Sequence, residues 1–193
     1  SGYNRTAAKG EALVAAGMRA AASPAQAASG ADAVIVCVSN DEALEEVLFG
    51  EGGAFEKLEA GALLLDCGTT SLELTRRVHA ASGEVQVAYL DAPITGSLLG
   101  AKNGKLTFMV GGASSAVERA GPLFDAMGKH AVHVGEAGQG QAAKFALNMT
   151  QAVVLEGVLE GYALAKKLGV PVAKMSEIFE NSAGKTGVGS FKT

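Results

Sequence analysis

The sequence has few of the residues that build metal and redox sites. Its 193 residues include two cysteines and three histidines. Cys37 and Cys67 form no CxxC pair and have no neighbouring histidine. Because each cysteine ends an apolar run, we predict two buried, reduced thiols. His79, His130 and His133 have no metal-ligand spacing, so we interpret them as structural or solvent-exposed and predict no metal site.

Basic charge and long hydrophobic runs are also scarce. Lysine and arginine total 16 against 20 acidic residues, which gives a net charge of -4 and no basic stripe for a nucleic-acid backbone. No apolar run approaches the roughly 20 residues that cross a bilayer, and no signal pattern opens the chain. We therefore expect a cytoplasmic protein whose partners include neither nucleic acid nor membrane. GxSxG, GxxxxGK and HExxH are missing, which argues against the usual hydrolases, P-loop proteins and zinc proteases.

Short apolar runs alternate with helical patterns, which predicts an α/β fold with a largely parallel sheet. Hydrophobic residues make up 48% of the chain, enough for a sizeable core. The predicted strands cover residues 33–38, 62–65, 87–90, 106–110 and 132–134. Helices are predicted near residues 6–17, 24–29, 41–49, 71–82 and 114–127, with caps at Ser23, Asn40, Ser71 and Ser114–Ser115.

A different pattern follows near residue 138. Apolar residues recur at helical spacing up to about residue 168, which predicts one long helix that carries the chain into a second, helical region. We expect a domain boundary between residues 137 and 138, a short helix over 172–181 and a glycine-rich tail over 184–190. The long helix would expose much apolar surface alone, so we expect a dimer or larger oligomer built on it.

The stretch from Gly138 to Asn148 places a lysine and an amide on one helical face. Lys144 and Asn148 are four residues apart and project the same way from a helix. A cation beside an amide, near a helix N-terminus, suits a substrate with a carbonyl and a carboxylate and favours proton-transfer chemistry. The plainer alternative is a solvated lysine and a surface asparagine.

Asn4, Arg5 and Thr6 lie where an apparent strand runs into a helix. In a dinucleotide-binding sheet an arginine at this point accepts the 2′-phosphate of NADP, whereas an acidic residue accepts the 2′-hydroxyl of NAD. Arg5 therefore favours NADP. A surface arginine near a chain start is the alternative.

Two buried strands are predicted to end in small polar residues. Val38, Ser39 and Asn40 end one, and Thr69 follows the other. Ligands of open α/β sheets bind at the carboxyl edge of the strands, so these residues are candidates for cofactor contacts. Helix capping is the alternative, and the two roles are compatible.

A loop over residues 91–101 combines a proline, two glycines and the hydroxyls of Thr95 and Ser97. Such a loop can gather amides and hydroxyls around one anion, and a carboxylate fits. Ordinary loop punctuation explains the same residues equally well. A polar turn over residues 102–105 and the strand after it predict a hairpin beside this loop.

Four segments, taken in order, resemble the β-hydroxyacid dehydrogenase family. They cover residues 3–6, 91–97, 108–112 and 138–148, and the most specific is GxGxxxKxxxN, met by Gly138, Gly140, Lys144 and Asn148. This family includes 3-hydroxyisobutyrate dehydrogenase and glyoxylate/succinic semialdehyde reductases, with 6-phosphogluconate dehydrogenase as a relative. The resemblance covers nearly the whole chain.

The resemblance implies an NADP-binding Rossmann-like domain over residues 1–137 and a long helix leading into an all-α domain over residues 138–193. It implies that Lys144 is the general acid/base of hydride transfer between a nicotinamide cofactor and a small hydroxyacid or its aldehyde or keto acid. Because of Arg5, we expect this cofactor to be NADP(H) in preference to NAD(H). Asn148 would orient the substrate, and Thr95, Gly96 and Ser97 would hold its carboxylate. The implied cofactor residues are Asn4, Arg5, Thr6, Val38, Ser39, Asn40 and Thr69. A homodimer or homotetramer is implied as well.

The chain departs from the family pattern in three ways. This chain has Thr95-Gly96-Ser97 where many members have Ser-Gly-Gly. The tripeptide of this chain is closer to that of members that reduce small aldehyde acids, so the substrate is left open. A His-Asn-Gly-Ile-Glu-Tyr run does not follow Lys144, which argues against phosphogluconate, and the lysine itself favours carbonyl over imine chemistry. The family's first strand with its GxGxxG turn is expected before Ser1, and most of its helical domain after Thr193. A catalytically silent nucleotide-binding or oligomerisation module therefore remains the alternative.

Overall fold

The computed structural model describes residues 1–186 and contains a six-stranded sheet. Its strands are β1 (Ala33–Val36), β2 (Leu63–Asp66), β3 (Ala88–Asp91), β4 (Ile94–Thr95), β5 (Leu106–Gly111) and β6 (Gly128–Gly135). The strand order is β1-β2-β3-β5-β4, with β6 paired to β5. Pairs β1–β2, β2–β3 and β5–β6 are parallel, while β5 runs antiparallel to β3 and β4. The predicted α/β fold with a mostly parallel sheet is confirmed.

The helices follow the predicted pattern closely. They are α1 (Glu11–Ala15), α2 (Pro24–Ala28), α3 (Asp41–Phe49), α4 (Leu72–Glu84), α5 (Ser97–Lys102), α6 (Ser114–Met127), α7 (Gln139–Lys167) and α8 (Val172–Glu180). The helix predicted over residues 6–17 is instead a 3₁₀ turn, Ala7–Gly10, followed by the short α1. Helix α5 occupies the second half of the segment predicted as a loop and ends at Lys102, in the predicted polar turn. Strands β4 and β5 do pair antiparallel, but a helix joins them instead of the tight turn that a hairpin implies.

Three of the four predicted helix caps are present. The side chains of Ser23, Asn40 and Ser71 accept hydrogen bonds from backbone N–H groups in the first turns of α2, α3 and α4. The prediction at Ser114–Ser115 is wrong, because Ala113 is the N-cap residue of α6 and no side chain caps that helix. Oxygen side chains one position inside a helix cannot reach the amides that a cap residue reaches.

The core lies on both faces of the sheet. Every residue of β2 is buried, and its side chains alternate between two clusters. Leu64 packs in one cluster with Leu44 of α3 and Val78 of α4. Leu65 packs in the other with Phe108 of β5 and Phe124 of α6. Helices on both faces explain why the central strands are continuous apolar runs.

The chain divides into two compact units, Ser1–Lys144 and Phe145–Thr193. The division falls within α7, a few residues after the boundary expected from the sequence, because the first turn of α7 is hydrogen-bonded to the sheet. In the second unit Tyr162 of α7 packs edge-on against Phe179 of α8 at 5.1 Å between ring centroids, and its hydroxyl lies 2.9 Å from Ser176 Oγ.

The predicted tail over residues 184–190 lies largely outside the described residues. Of the helices within residues 1–186, none combines the length and apolar character that crossing a membrane requires.

Candidate active site

A cleft of about 560 Å³ lies between the first residues of the chain and β1, and every residue of that strand lines it. Five of the seven predicted cofactor residues line it: Asn4, Arg5, Thr6, Val38 and Ser39. They come from segments more than thirty residues apart, so the sheet brings together side chains that the sequence places far apart. A guanidinium, an amide and two hydroxyls border this cleft. Such donors and acceptors fit the ribose and phosphate groups of a dinucleotide.

The Arg5 side chain is 77% exposed, and its Nη1 lies 3.7 Å from Glu46 Oε2, which is itself exposed. A solvent-exposed pair at this distance contributes little to stability, about 0–1 kcal/mol. The guanidinium is therefore able to exchange Glu46 for another anion at small energetic cost.

The two remaining cofactor candidates lie outside the cleft lining. Asn40 caps α3, where its Oδ1 accepts a hydrogen bond of 3.1 Å from Ala43 N–H. The next residue, Asp41, accepts a bond of 2.9 Å from Ser71 N–H, which ties the start of α3 to the start of α4. Thr69 is half-buried in the loop between β2 and α4. Asn40 therefore acts as a helix cap, the alternative to a cofactor contact.

The predicted carboxylate-binding residues form a sharp turn at the end of β4. Thr95 is half-buried in the strand, whereas Gly96 and Ser97 are exposed. Both have left-handed backbones, with φ of 127° at Gly96 and 59° at Ser97. This conformation is unremarkable for glycine but costs a serine about 1 kcal/mol or more. The turn therefore holds Ser97 in a fixed, slightly strained conformation at the first residue of α5.

Lys144 and Asn148 both lie in α7, one turn apart, as predicted. The Lys144 side chain is partly buried, and this desolvation lowers the pKa of its ammonium group below the ordinary value. Asn148 is exposed. A lysine with a lowered pKa is better suited to exchange protons near neutral pH than a fully solvated one.

A buried polar cluster lies where the start of α7, the helix that carries Lys144, meets the sheet. We call this cluster the junction, and it consists of Asp66, Gly68, Thr70, Asp91, Gly138 and Gln141. Asp91 Oδ1 accepts from Gly138 N–H and Asp91 Oδ2 from Gln141 N–H, each at 2.8 Å. Gln141 Nε2 donates to the Gly68 carbonyl at 3.0 Å, and its Oε1 accepts from Thr70 N–H at 3.3 Å. The junction thus joins the start of α7 to the ends of β2 and β3.

Asp66 and Asp91 occupy paired positions on neighbouring strands and have no solvent exposure. Burial raises the pKa of Asp66 to about 6, and the Asp91 charge adds to this, although bonds from Gly68 N–H and Thr70 Oγ1 act in the opposite direction. Burial also raises the pKa of Asp91, against the effect of the α7 amides.

Glycines at the junction allow the backbones to approach closely. A Cβ at Gly140 would overlap the carbonyl oxygens of Asp91 and Met109, and one at Gly111 would overlap Asp91 Oδ1 and Gly140 N. The second glycine of GxGxxxKxxxN is therefore needed to pack the helix against β3 and β5.

Sequence reasoning missed the junction. Asp91 and Gln141 were named only as members of longer segments, although a signal was present: β2 and β3 are apolar runs that each end in an aspartate. An acidic residue at the end of a fully buried strand needs donors nearby, which is a reason to search for a helix N-terminus.

The prediction of two buried cysteines is half correct. Cys67 is buried, which raises the pKa of its thiol to about 12. Cys37 is exposed, because β1 is an edge strand in the described part of the chain and its carboxyl end opens into the cleft. Within residues 1–186 no group of three or more His, Cys, Asp and Glu side chains could hold a metal ion. His133 Nε2 lies 2.8 Å from the Gly112 carbonyl, a structural contact.

Taken together, the first unit carries a cleft with anion and hydroxyl partners, a strained hydroxyl-bearing turn and a desolvated lysine on an anchored helix. The cleft lining includes neither Lys144 nor the Thr95–Ser97 turn, so each feature suits one part of such chemistry by itself: the cleft suits an anionic nucleotide and the lysine suits proton transfer.

Two family models match the chain in succession. The first, described as the NAD binding domain of 6-phosphogluconate dehydrogenase, matches residues 1–135. The second, described as NAD-binding of NADP-dependent 3-hydroxyisobutyrate dehydrogenase, matches residues 138–191. The change from one to the other falls just before α7.

Individual proteins show the same similarity. An NAD-dependent L-serine dehydrogenase from Pseudomonas aeruginosa is 41% identical over 172 residues, which cover 89% of this chain and 58% of the relative. A 3-hydroxyisobutyrate dehydrogenase from the same organism is 35% identical over 172 residues, with the same two coverages. The solved structure of Mycobacterium tuberculosis 3-hydroxyisobutyrate dehydrogenase with L-serine superposes with a TM-score of 0.85 at 30% identity, over 97% of this chain and 63% of that one. The chain spans about six tenths of the length of these relatives.

Proposed function

We propose that this chain, which belongs to the β-hydroxyacid dehydrogenase family, is the cofactor-binding part of an NADP(H)-dependent oxidoreductase. The enzyme interconverts a small β-hydroxyacid and the corresponding aldehyde or keto acid. The observation that carries the proposal is Lys144, whose ammonium group is partly desolvated on a helix anchored to the carboxyl edge of the sheet.

Lys144 moves the proton in this reaction. In reduction its ammonium group donates a proton to the carbonyl oxygen of the substrate, and in oxidation the neutral amine takes the proton of the hydroxyl group. Asn4, Arg5, Thr6, Val38 and Ser39, which border the cleft, would hold a nicotinamide cofactor, which would supply or accept the hydride. Thr95, Gly96 and Ser97 hold the substrate carboxylate, and Asn148, one helical turn from Lys144, orients the substrate.

The substrate class follows from what the relatives' names share. 3-Hydroxyisobutyrate and L-serine are both small acids with a hydroxyl on the β-carbon, and they differ at the α-carbon. A carboxylate-binding turn and a lysine at the hydroxyl oxygen would serve either compound. We therefore propose a β-hydroxyacid of three or four carbons.

NADP(H) is the proposed cofactor in preference to NAD(H). Arg5 supports this choice, because its exposed guanidinium borders the cleft and has only a loose pair with Glu46. The NAD-dependent relative makes a direct comparison of the two cofactors necessary.

The test is an assay of the complete polypeptide with both cofactors. Oxidation is measured with 3-hydroxyisobutyrate and L-serine, and reduction with glyoxylate and with succinic, tartronate and methylmalonate semialdehydes. We expect turnover of at least one of the two β-hydroxyacids, or of tartronate or methylmalonate semialdehyde, and a higher kcat/KM with the phosphorylated cofactor. Turnover of only glyoxylate or succinic semialdehyde would contradict the β-hydroxyacid class, since their reduced products are not β-hydroxyacids. NADPH binding without turnover of any compound would favour the alternative, a catalytically silent nucleotide-binding or oligomerisation module.

We also propose that α7 contributes to a homodimer or homotetramer. Several large apolar side chains along it are exposed: Phe145, Met149, Val153, Leu159 and Leu164. Sedimentation of the complete protein at the monomer mass would contradict this proposal.

A further inference from the structure

We propose that Asp91 and Gln141 are positioning residues, which hold the first turn of α7 against the ends of β2 and β3 and thereby fix the location of the Lys144 amine. This inference rests on the proposed function, since it gives these residues a role in proton transfer by Lys144. Neither residue contacts the reacting atoms, and both act through the helix that carries the lysine.

Asp91 holds the helix from the side of β3. Its two carboxylate oxygens accept separate hydrogen bonds from two amides of the first turn, Gly138 N–H and Gln141 N–H. A two-point contact of this kind fixes the direction of the helix axis as well as its distance from the strand. Asp91 is also four residues before Thr95, so the same strand end leads into the carboxylate-binding turn.

Gln141 holds the helix from the side of β2. Its amide group bridges the Gly68 carbonyl and Thr70 N–H, the two backbone neighbours of the cofactor candidate Thr69. Gln141 has no solvent exposure, so its bonds are made in a water-free environment where a lost partner is not replaced. A glutamine side chain therefore connects the loop that holds Thr69 to the helix that holds Lys144.

The close contacts at Gly140 leave the helix little room to shift. Its backbone meets the carbonyl oxygens of Asp91 and Met109 without space for a Cβ. Lys144 lies three residues beyond Gln141, within the same helical turn, at a rise of about 1.5 Å per residue. A displacement of Gln141 would consequently be transmitted to Lys144 almost undiminished.

Gln141→Met is the variant that tests this role, because methionine fills a similar volume but cannot make the two amide bonds. Gln139→Met is the matched control, since Gln139 is an exposed residue in the same turn of the same helix. In the complete protein we expect Gln141→Met to lower kcat about ten- to a hundredfold, because misplacement by about 1 Å can have an effect of this size. The KM values for cofactor and substrate should stay within about twofold, and Gln139→Met should match the wild type.

A second readout does not need activity. Lysines are reductively methylated with ¹³C, and the Lys144 signal, assigned by its loss in Lys144→Arg, is followed against pH. Gln141→Met should move the pKa of Lys144 toward the ordinary value, because a loosened first turn exposes the amine to water. If Gln141→Met does not fold, Gln141→Asn replaces it: this variant keeps an uncharged amide but is one methylene too short to reach both the Gly68 carbonyl and Thr70 N–H, and it should show changes of the same sign.

Two results would overturn the inference. One is an unchanged kcat together with an unchanged Lys144 titration in a folded Gln141 variant. The other is a loss of kcat in Gln139→Met as large as the loss in Gln141→Met. If the complete protein turned over no substrate, the proposed function would be refuted, and the Lys144 titration alone would decide whether Gln141 positions the amine.

Discussion

The cleft beside β1 and the junction at the ends of β2 and β3 both contain polar side chains, yet these side chains differ in burial and in hydrogen bonding. Arg5 in the cleft is exposed and loosely paired, whereas Asp91 and Gln141 in the junction are fully buried and bonded on several sides. Exposed polar groups can exchange a protein partner for a ligand at small cost, while buried ones cannot. Exposed residues such as Arg5 are therefore suited to bind a ligand, whereas buried residues such as Asp91 and Gln141 are suited to fix the position of a helix.

Lys144 is intermediate in burial between Arg5 and the junction residues, and it lies on α7, the helix that the junction anchors. Lys144→Met should lower kcat about 10²–10⁴-fold, the usual contribution of a general acid or base, and leave NADPH binding unchanged. Steady-state kinetics and a fluorescence titration measure the two quantities. Lys129→Met, at an exposed lysine of β6, is the control and should resemble the wild type. If Lys144→Met and Lys129→Met lowered kcat by similar factors, Lys144 would have no catalytic role beyond that of an exposed surface lysine.

The junction should respond through stability. Asp91→Asn retains the shape of the side chain but turns an amide N–H toward one of the two backbone N–H groups that Asp91 binds, those of Gly138 and Gln141. We therefore expect the free energy of unfolding to fall by about 2–4 kcal/mol. Urea denaturation measures this change. Ser82→Ala is the control: Ser82 is equally buried, and its hydroxyl has no hydrogen-bond partner among the described residues. Equal stability of Asp91→Asn and wild type would show that the junction bonds are dispensable.

The junction should also make stability depend on pH. The pKa of Asp66 is about 6 in the folded chain against about 3.9 for an unfolded aspartate. Between these values the folded protein holds a proton that the unfolded chain has lost, so the contribution of Asp66 to stability decreases as pH rises. Asp66→Asn removes this dependence, and its stability relative to wild type should increase by about 2 kcal/mol from pH 4.5 to 7.5.

Urea denaturation at several pH values tests the Asp66 prediction. Ser82→Ala, at a buried side chain that does not titrate, provides the comparison, and its difference from wild type should not change with pH. Parallel pH curves for Asp66→Asn and wild type would contradict the assignment of a raised pKa to Asp66.

The cleft should respond through cofactor choice, with the smallest effect. Arg5→Ala should raise the KM for NADPH about tenfold and change the KM for NADH less than about twofold, because only NADPH carries the 2′-phosphate. Stability should not change measurably, since the pair with Glu46 is exposed. Arg76→Ala, at an exposed arginine of α4, is the control. An equal rise for both cofactors would remove Arg5 from phosphate recognition.

Much of the fold could be predicted because it depends on local patterns. Helices α3 and α6 begin and end at the predicted residues, and α7 differs from the prediction by one residue at each end. Helix α5 was missed because Pro93, Gly96 and Gly100 are typical of a loop. The left-handed backbone at Ser97 reverses the chain there, and no local pattern predicts a serine in that conformation.

The candidate site was predictable to the extent that it consists of motifs. Residues that border the cleft could be identified because they follow strands, and strand ends meet at one edge. Asp91 and Gln141 could not be assigned a role, because their bonds join residues about fifty to seventy positions apart. The exposure of Cys37 depends on which strand lies at the edge of the sheet, which hydrophobic periodicity does not reveal.

The pH dependence of kcat tests most directly whether Lys144 is the proton-transfer group. For oxidation of the best β-hydroxyacid by the complete protein, we predict that kcat rises with pH to a plateau. The apparent pKa of this rise should lie below the ordinary value of lysine, and the rise should disappear in Lys144→Met. A flat profile in the wild type, or the same rise in Lys144→Met, would contradict the assignment of Lys144 as general acid/base.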